Sequence, residues 1–456
     1  MTKKSNDDII LEVKRPIAGR EGETLTMGFW KSDKVRHAIL LGTLCSVSYL
    51  AVYLARNILS AVTPQIIGEG IFTTEQIGSI SSIYFICYAI GQLINGAIGD
   101  RIKARYMISG GLLFAGITNL IFSYTVAVPA MAFTAYGMTG FFLSMIYGPM
   151  TKVVAENTEP IYATRCSLGY TFASFFGSPS AGMIAAVLSW QSVFAVSSAA
   201  LVVMAVIAFS CFLAFERRGI VKYGQYQRRK ESENGKRLRG DGVRVLIKHR
   251  IIKFALISIL TGIVRTTVVF WLPTYISQYL GFSAERSAVL FTVATLVIAS
   301  TAFIAIFVYE KLGHNMDVTI LLMFILSTAF FVGVYFVRNL YVNLALLVLA
   351  IMASNASAVM LWSRYCPSLR DTGMVSGATG FLDFLSYMAA AASSTLFSNA
   401  VGVMGWKNLV LVWAGIVFCG ILVALPYQTL RKKKETADAC SQEDSEPCFE
   451  KEGSEL

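Results

Sequence analysis

Formal charge is what this 456-residue chain has least of. Only 15% of its residues are Asp, Glu, Lys or Arg, and between Arg36 and Glu69 a single one, Arg56, interrupts the apolar run. An ordinary soluble domain of this size, about a quarter charged, is thereby excluded. Histidine is nearly missing as well: His37, His249 and His314 are the only three, and each falls at the end of an apolar run or between two runs. The eight cysteines are scattered, with neither a CxxC pair nor a metal-ligand spacing, so they read as small apolar residues. No P-loop, no HExxH and no nucleophile elbow occurs, which argues against an enzyme, and no cofactor is expected. From Met1 to about Gly28 the N-terminus is polar and lacks the apolar core and cleavage site of a signal peptide, so the first span is expected to stay as an anchor.

Apolar residues are what the chain has in excess. They make up 55% of the sequence, and mean hydropathy is +0.60. Twelve uncharged or nearly uncharged runs are candidate membrane spans, at roughly 37–64, 76–98, 106–126, 129–150, 164–188, 191–215, 251–277, 287–309, 316–337, 340–362, 373–401 and 406–427. A net charge of +11 would suggest nucleic acid in a soluble protein, but its distribution follows membrane topology instead. With the N-terminus inside, the inner links and flanks collect Lys31, Lys34, Arg36, Arg101, Lys103, Arg105, Lys152, Arg165, Lys311, Arg364, Arg370 and the run from Arg431 to Lys434, whereas the outer links hold only Arg286, Arg338 and Lys407. Lys and Arg gather on the cytoplasmic side of membrane proteins, so both termini are expected in the cytoplasm and no nucleic-acid partner is expected. A multi-pass cell-membrane protein follows, with a bacterial inner membrane as the expected setting.

Between Glu216 and Arg250 the chain carries twelve Lys or Arg against four acids and no apolar period, which marks a cytoplasmic linker. The expected organisation is a polar N-terminus (1–36), a six-helix bundle (37–215), the linker (216–250), a second six-helix bundle (251–427) and a disordered tail (428–456). The two blocks carry the same landmarks. Arg56 and Arg265 are 209 residues apart, as are Pro64 and Pro273; "FTTEQ" at Phe72 and "FSAER" at Phe282 are 210 apart, as are Asp100 and Glu310. Two six-helix halves related by a parallel repeat, with a site between them near mid-membrane, is the architecture of the major facilitator superfamily. The predicted fold class is therefore an all-α membrane protein of twelve transmembrane helices in two pseudo-symmetric bundles.

Arg56 and Arg265 carry the functional argument. Each sits within a few residues of the midpoint of its uncharged run, where a charge costs about 2.5–3.5 kcal/mol on insertion scales. Snorkelling works near helix ends, and these two are too deep for it. One acid, Asp383, lies deep in any span, so at most one arginine can be neutralised by a buried carboxylate. Guanidinium forks match phosphate or carboxylate oxygens bidentately, and a phosphate monoester, at about −1.5 to −2, balances two arginines. A small organic or inorganic phosphate is the expected ligand, with a dicarboxylate as its nearest competitor.

The stretches "YLAVYLARNILSAVTP", "YAIGQLINGAIGDR" and "RTTVVFWLPTYI" resemble the organophosphate:phosphate antiporters, the bacterial glycerol-3-phosphate and hexose-phosphate transporters, over roughly residues 34–427. The resemblance implies phosphate binding by one arginine on span one and one on span seven, which fall on Arg56 and Arg265, and site tyrosines that fall on Tyr49, Tyr53 and Tyr88. Tyr49, Tyr53 and Arg56 share one helix face by their spacing. The sequence departs from the family at Gln92, where a lysine is common, and near Ala173 and Ser174, where a histidine is common. Asp383 replaces a small residue and is a coupling candidate: it can pair with an arginine in the empty carrier, bind a proton, meet a cationic part of the ligand, or hold a neighbouring helix. Gly96, Asp100, Arg101 and Arg105 fit the superfamily signature G-x3-D-R followed by basic residues, whose charges can lock and release helices; a topogenic basic turn satisfies the same pattern. The glycines of "GSPSAG" (Gly177 to Gly182) and "SGATG" (Ser376 to Gly380), with Pro149 and Pro179, are expected to allow close packing and bending.

Together these features predict a monomeric secondary carrier exchanging a small phosphate ester for inorganic phosphate by alternating access. The lipid bilayer is its only other expected partner. A proton-coupled carrier of another small anion and a carrier-like sugar-phosphate sensor are the alternatives, while a multidrug exporter would want an apolar cavity rather than two arginines.

Overall fold

The computed structural model describes residues 33–99, 102–223, 247, 249–369 and 375–425. The N-terminal segment, Asp100, Arg101, most of the linker and the C-terminal tail lie outside the described residues. Within them every predicted span is helical: α1 (Asp33–Gly68), α2 (Thr74–Gly99), α3 (Ala104–Tyr124), α4 (Pro129–Asn157), α5 (Pro160–Ala185) and α6 (Trp190–Arg217) form the first half. The second half comprises α7 (Ile251–Gln278), α8 (Ala284–Lys311), α9 (Met316–Phe336) and α10 (Leu340–Ser368). Val375–Ala424 then divides at Gly405, whose φ of 74° no helix tolerates, into α11 (375–404) and α12 (406–424). Ten helical stretches among the described residues are long and apolar enough to cross a membrane, and one of these, Ala378–Ala424, holds both α11 and α12.

Several helices outrun their apolar runs, while α3 and α5 stop short of theirs, at Tyr124 and Ala185. The helix α1 runs on through Pro64 to Gly68, and α10 continues past Trp362 to Ser368. In lipid an unpaired backbone group costs several kcal/mol, so helices extend until water can solvate their ends. For the same reason Glu216 and Arg217, placed in the linker by composition, are the last residues of α6.

The repeat seen in the landmarks is a repeat in packing. In the first half α1 packs on α5, α2 and α3 on α4, and α3 on α6; in the second half α7 packs on α11, α8 and α9 on α10, and α9 on α12. A matching pair of indoles closes each half. Trp190, which opens α6, donates to Glu69 just past α1 (2.8 Å), and Trp406, which opens α12, donates to Gln278 at the end of α7 (2.9 Å). Glu69 and Gln278 each lie five residues beyond the equivalent prolines, Pro64 and Pro273.

The halves join through α1 with α7, α2 with α11 and α5 with α8. Ser60 donates to the Phe270 carbonyl (2.6 Å), Ser82 to that of Ala391 (2.5 Å), and Thr292 to that of Pro179 (3.3 Å), while the Ser81 and Ser394 hydroxyls bond to each other. All of these residues belong to the half-thickness away from the chain termini. Gly182 makes one of the close approaches between the halves: a Cβ there would stand 2.3 Å from Thr292 Oγ1 and 2.8 Å from the Ala288 carbonyl. The chain is thus drawn together at the end opposite the termini.

Candidate functional site

Position along the helices sets the depth of the arginines. Arg56 lies twelve residues before Gly68 and Arg265 thirteen before Gln278, about 18 and 20 Å from those helix ends at helical rise. Both therefore sit close to the middle of a hydrocarbon layer about 30 Å thick.

Arg56 occupies a cage of phenol rings. Its guanidinium carbon is 5.9 Å from the ring of Tyr53 on its own helix, 5.4 Å from Tyr88 on α2 and 4.9 Å from Tyr387 on α11. Tyr88 and Tyr387 also meet each other at 4.7 Å, so the first-half arginine bears directly on the second half. The electron-rich faces of the rings attract the cation without neutralising it. Among the described residues Arg56 has no ion pair.

Arg265 has different company. It lies in a π-helical turn, Ile263–Val268, a widening of the helix often found at functional sites. Its Nη2 stands 3.7 Å from Asp383 Oδ1 on α11, and its guanidinium carbon is 5.8 Å from the ring of Trp362 on α10. Trp362 sits in a second π-helical turn, Leu361–Tyr365, just ahead of Pro367, whose ring cannot accept the Ser363 carbonyl in a regular turn. The side chains of Arg265 and Asp383 keep 33% and 26% of their surface open, so the pair faces free space rather than a sealed contact.

The sequence-predicted residues divide accordingly. Arg56, Tyr53 and Tyr88 converge, as do Arg265 and Asp383. Tyr49 stands one layer back, packed edge-on against Tyr53 (5.0 Å) and beside Tyr147 (5.3 Å), without reaching Arg56. Gln92 lies one turn beyond Tyr88 on α2, half-buried and without a hydrogen bond among the described residues. Gly177 brings α5 against the site, since a Cβ there would stand 2.4 Å from that of Tyr53. Tyr387 and Trp362 escaped the sequence reading; the signal for Tyr387 was its spacing of four from Asp383, which places both on one face. Trp271 and Tyr275, from the most family-specific stretch, are buried core, with Tyr275 donating to Asn343 (2.7 Å).

Of the signature between α2 and α3, Gly96 falls within α2, Asp100 and Arg101 lie outside the described residues, and Arg105 is buried in the first turn of α3. Arg105 bonds Glu216 on α6 (2.9 Å) and the Tyr106 hydroxyl (2.6 Å), and Tyr223 donates to the same carboxylate (2.9 Å). Burial first, and this bond second, push the Tyr223 phenol well above its usual range. This cluster ties α3 to α6 at the end nearest the termini.

Residues 45–393 match the Major Facilitator Superfamily. The chain belongs to that superfamily. That family and the transporters the chain resembles mark it as a transporter-type protein rather than an enzyme. It is similar to the phosphoglycerate transporter protein of Salmonella typhimurium, with 22% identity over 429 residues, 88% of this chain and 91% of that protein. A shorter stretch of 86 residues is 30% identical to the membrane sensor protein UhpC of the same organism and spans only 20% of that protein's length, 19% of this chain. In fold, the superfamily member is similar to the crystal structure of a bacterial homologue of the human lysosomal transporter Spinster, with a TM-score of 0.64 at 12% identity, covering 86% of this chain and 93% of that one. These relatives are consistent with the organophosphate branch that the sequence resembles, and they support a multi-pass protein of the cell membrane.

Proposed function

We propose that this superfamily member is a secondary active transporter of a small organic phosphate, exchanging it for inorganic phosphate by alternating access. The observation that carries the reading is the uncompensated guanidinium of Arg56 at mid-membrane, caged by rings and supplied with no counter-ion by the described residues. A buried charge without a partner costs several kcal/mol, and a bound anion removes that cost. Arg265 supplies the second fork, from the other half, and the similarity to a phosphoglycerate transporter supports a phosphate-bearing ligand.

The mechanism follows from where the halves touch. Among the described residues their seam runs from the Tyr88 and Tyr387 pair to the end away from the termini, and in this reading the site opens toward the end that carries them. With both termini in the cytoplasm, the orientation that the distribution of Lys and Arg supports, this is the inward-open state. An anion bridging Arg56 and Arg265 draws the two halves together on the cytoplasmic side, and the serine seam then releases on the other. An empty site leaves Arg56 uncompensated and offers no such bridge, so only loaded carriers turn over, as exchange demands. One chain suffices, since both arginines belong to it.

Purified protein in liposomes preloaded with inorganic phosphate, challenged with sugar, glycerol and glycerate phosphates, tests this. Uptake that requires internal phosphate supports exchange; uptake of no phosphate ester refutes it. The stretch similar to UhpC favours a second reading, a sensor of external sugar phosphate, which would bind these ligands with negligible flux.

A further inference from the structure

We propose that Asp383 selects ligands bearing a cationic group close to their phosphate, so that the preferred substrates are aminoalkyl phosphate monoesters rather than plain alkyl or sugar phosphates. The inference rests on the phosphate reading of the same site and adds its substrate class.

Charge balance is the first ground. Among the described residues two guanidinium groups and one carboxylate give the site a net charge of +1, which fits a ligand of about −1. A phosphate monoester alone carries about −1.5 to −2, and one ammonium on the same molecule brings it to about −0.5 to −1.

Geometry is the second. The structural ion pairs of this chain close to hydrogen-bond distance: Arg105 with Glu216 at 2.9 Å, Arg250 with Asp317 at 3.0 Å and Lys253 with Asp317 at 3.1 Å. Arg265 and Asp383 stand off at 3.7 Å, beyond the 2.7–2.9 Å of a charge-assisted bond, although both are partly open and free of other ion pairs among the described residues. Arg265 Nη2 is buried without a hydrogen-bond partner, and Asp383 accepts no hydrogen bond among the described residues. One donor and one carboxylate are thus left side by side, each still to be used. A phosphate on Arg265 alone would bring its negative charge against Asp383. A phosphate whose ester chain ends in an ammonium uses both, with oxygens on the guanidinium and the amine on the carboxylate.

The test compares two esters of nearly equal size, 2-aminoethyl phosphate and ethyl phosphate, as competitors of phosphate exchange in liposomes holding the full chain. The wild type should prefer the amine by about tenfold or more, the range of one charged hydrogen bond. Asp383→Asn should abolish the preference, and Asp383→Glu should retain part of it. Parity or a preference for ethyl or glycerol phosphate in the wild type overturns the proposal, as does a preference that survives in Asp383→Asn. Should Asp383→Asn not accumulate, the wild-type ratio decides alone. If no ester of either kind competes, the phosphate reading itself has failed, a result distinct from parity between the two.

Discussion

Asp383 and Tyr387 stand one helical turn apart on α11 and divide the two deep arginines between them. The Tyr387 ring lies 4.9 Å from the Arg56 guanidinium, and the Asp383 carboxylate lies 3.7 Å from that of Arg265. A single helix of the second half therefore reads the charge of both halves. Sequence-equivalent arginines have become chemically different, one caged by phenols and one facing an acid.

Replacing either arginine with lysine should abolish most uptake of a phosphate ester while membrane expression stays normal. Lysine keeps the charge but loses the planar fork and its stacking on rings. Transport assays beside quantified membrane yield check this; unimpaired uptake in either variant would remove that arginine from the site.

The cage makes a graded prediction at Tyr387. Phenylalanine keeps the aromatic face over Arg56 and should leave affinity within a few-fold, whereas alanine removes a contact worth about 0.5–2 kcal/mol and should weaken binding by roughly 2- to 30-fold. Equal losses in both variants would show that the hydroxyl, not the ring, matters.

The seam between the halves can be locked. Ser81 and Ser394 touch across it, and cysteines at both positions in an otherwise cysteine-free chain should form a disulfide that holds the far end shut. Transport should cease on oxidation and return with reductant. Full transport by the cross-linked protein would show that this seam does not open during the cycle.

Gly182 offers the converse perturbation. A leucine there would collide with Thr292 and the Ala288 carbonyl, so α5 and α8 must part and the closed far end must loosen. Labelling of a cysteine placed near that end should become faster in Gly182→Leu than in the parent, with a lower unfolding temperature. Unchanged labelling would mean that the helices accommodate the side chain elsewhere.

Sequence alone determined the class, the number of helices, their division into two halves and the depth of Arg56 and Arg265, because each follows from one-dimensional quantities: the length of uncharged runs, the period of a repeat and the count of residues from a helix end. Lipid permits almost no other backbone solution, so apolar runs translate directly into helices. What the runs left unread was partnership. Tyr387 and Trp362 were not among the candidate site residues and face the arginines, while Tyr49, which was, stands one layer back. Which aromatic faces a cation depends on how helices distant in sequence rotate against each other, and aromatic residues satisfy a membrane core and a binding cage equally well. Only the tertiary structure decided that Asp383 stands by Arg265 rather than Arg56, and at a distance too long for a closed ion pair, since that spacing is fixed by backbone packing between α7 and α11 and not by the attraction of the charges themselves.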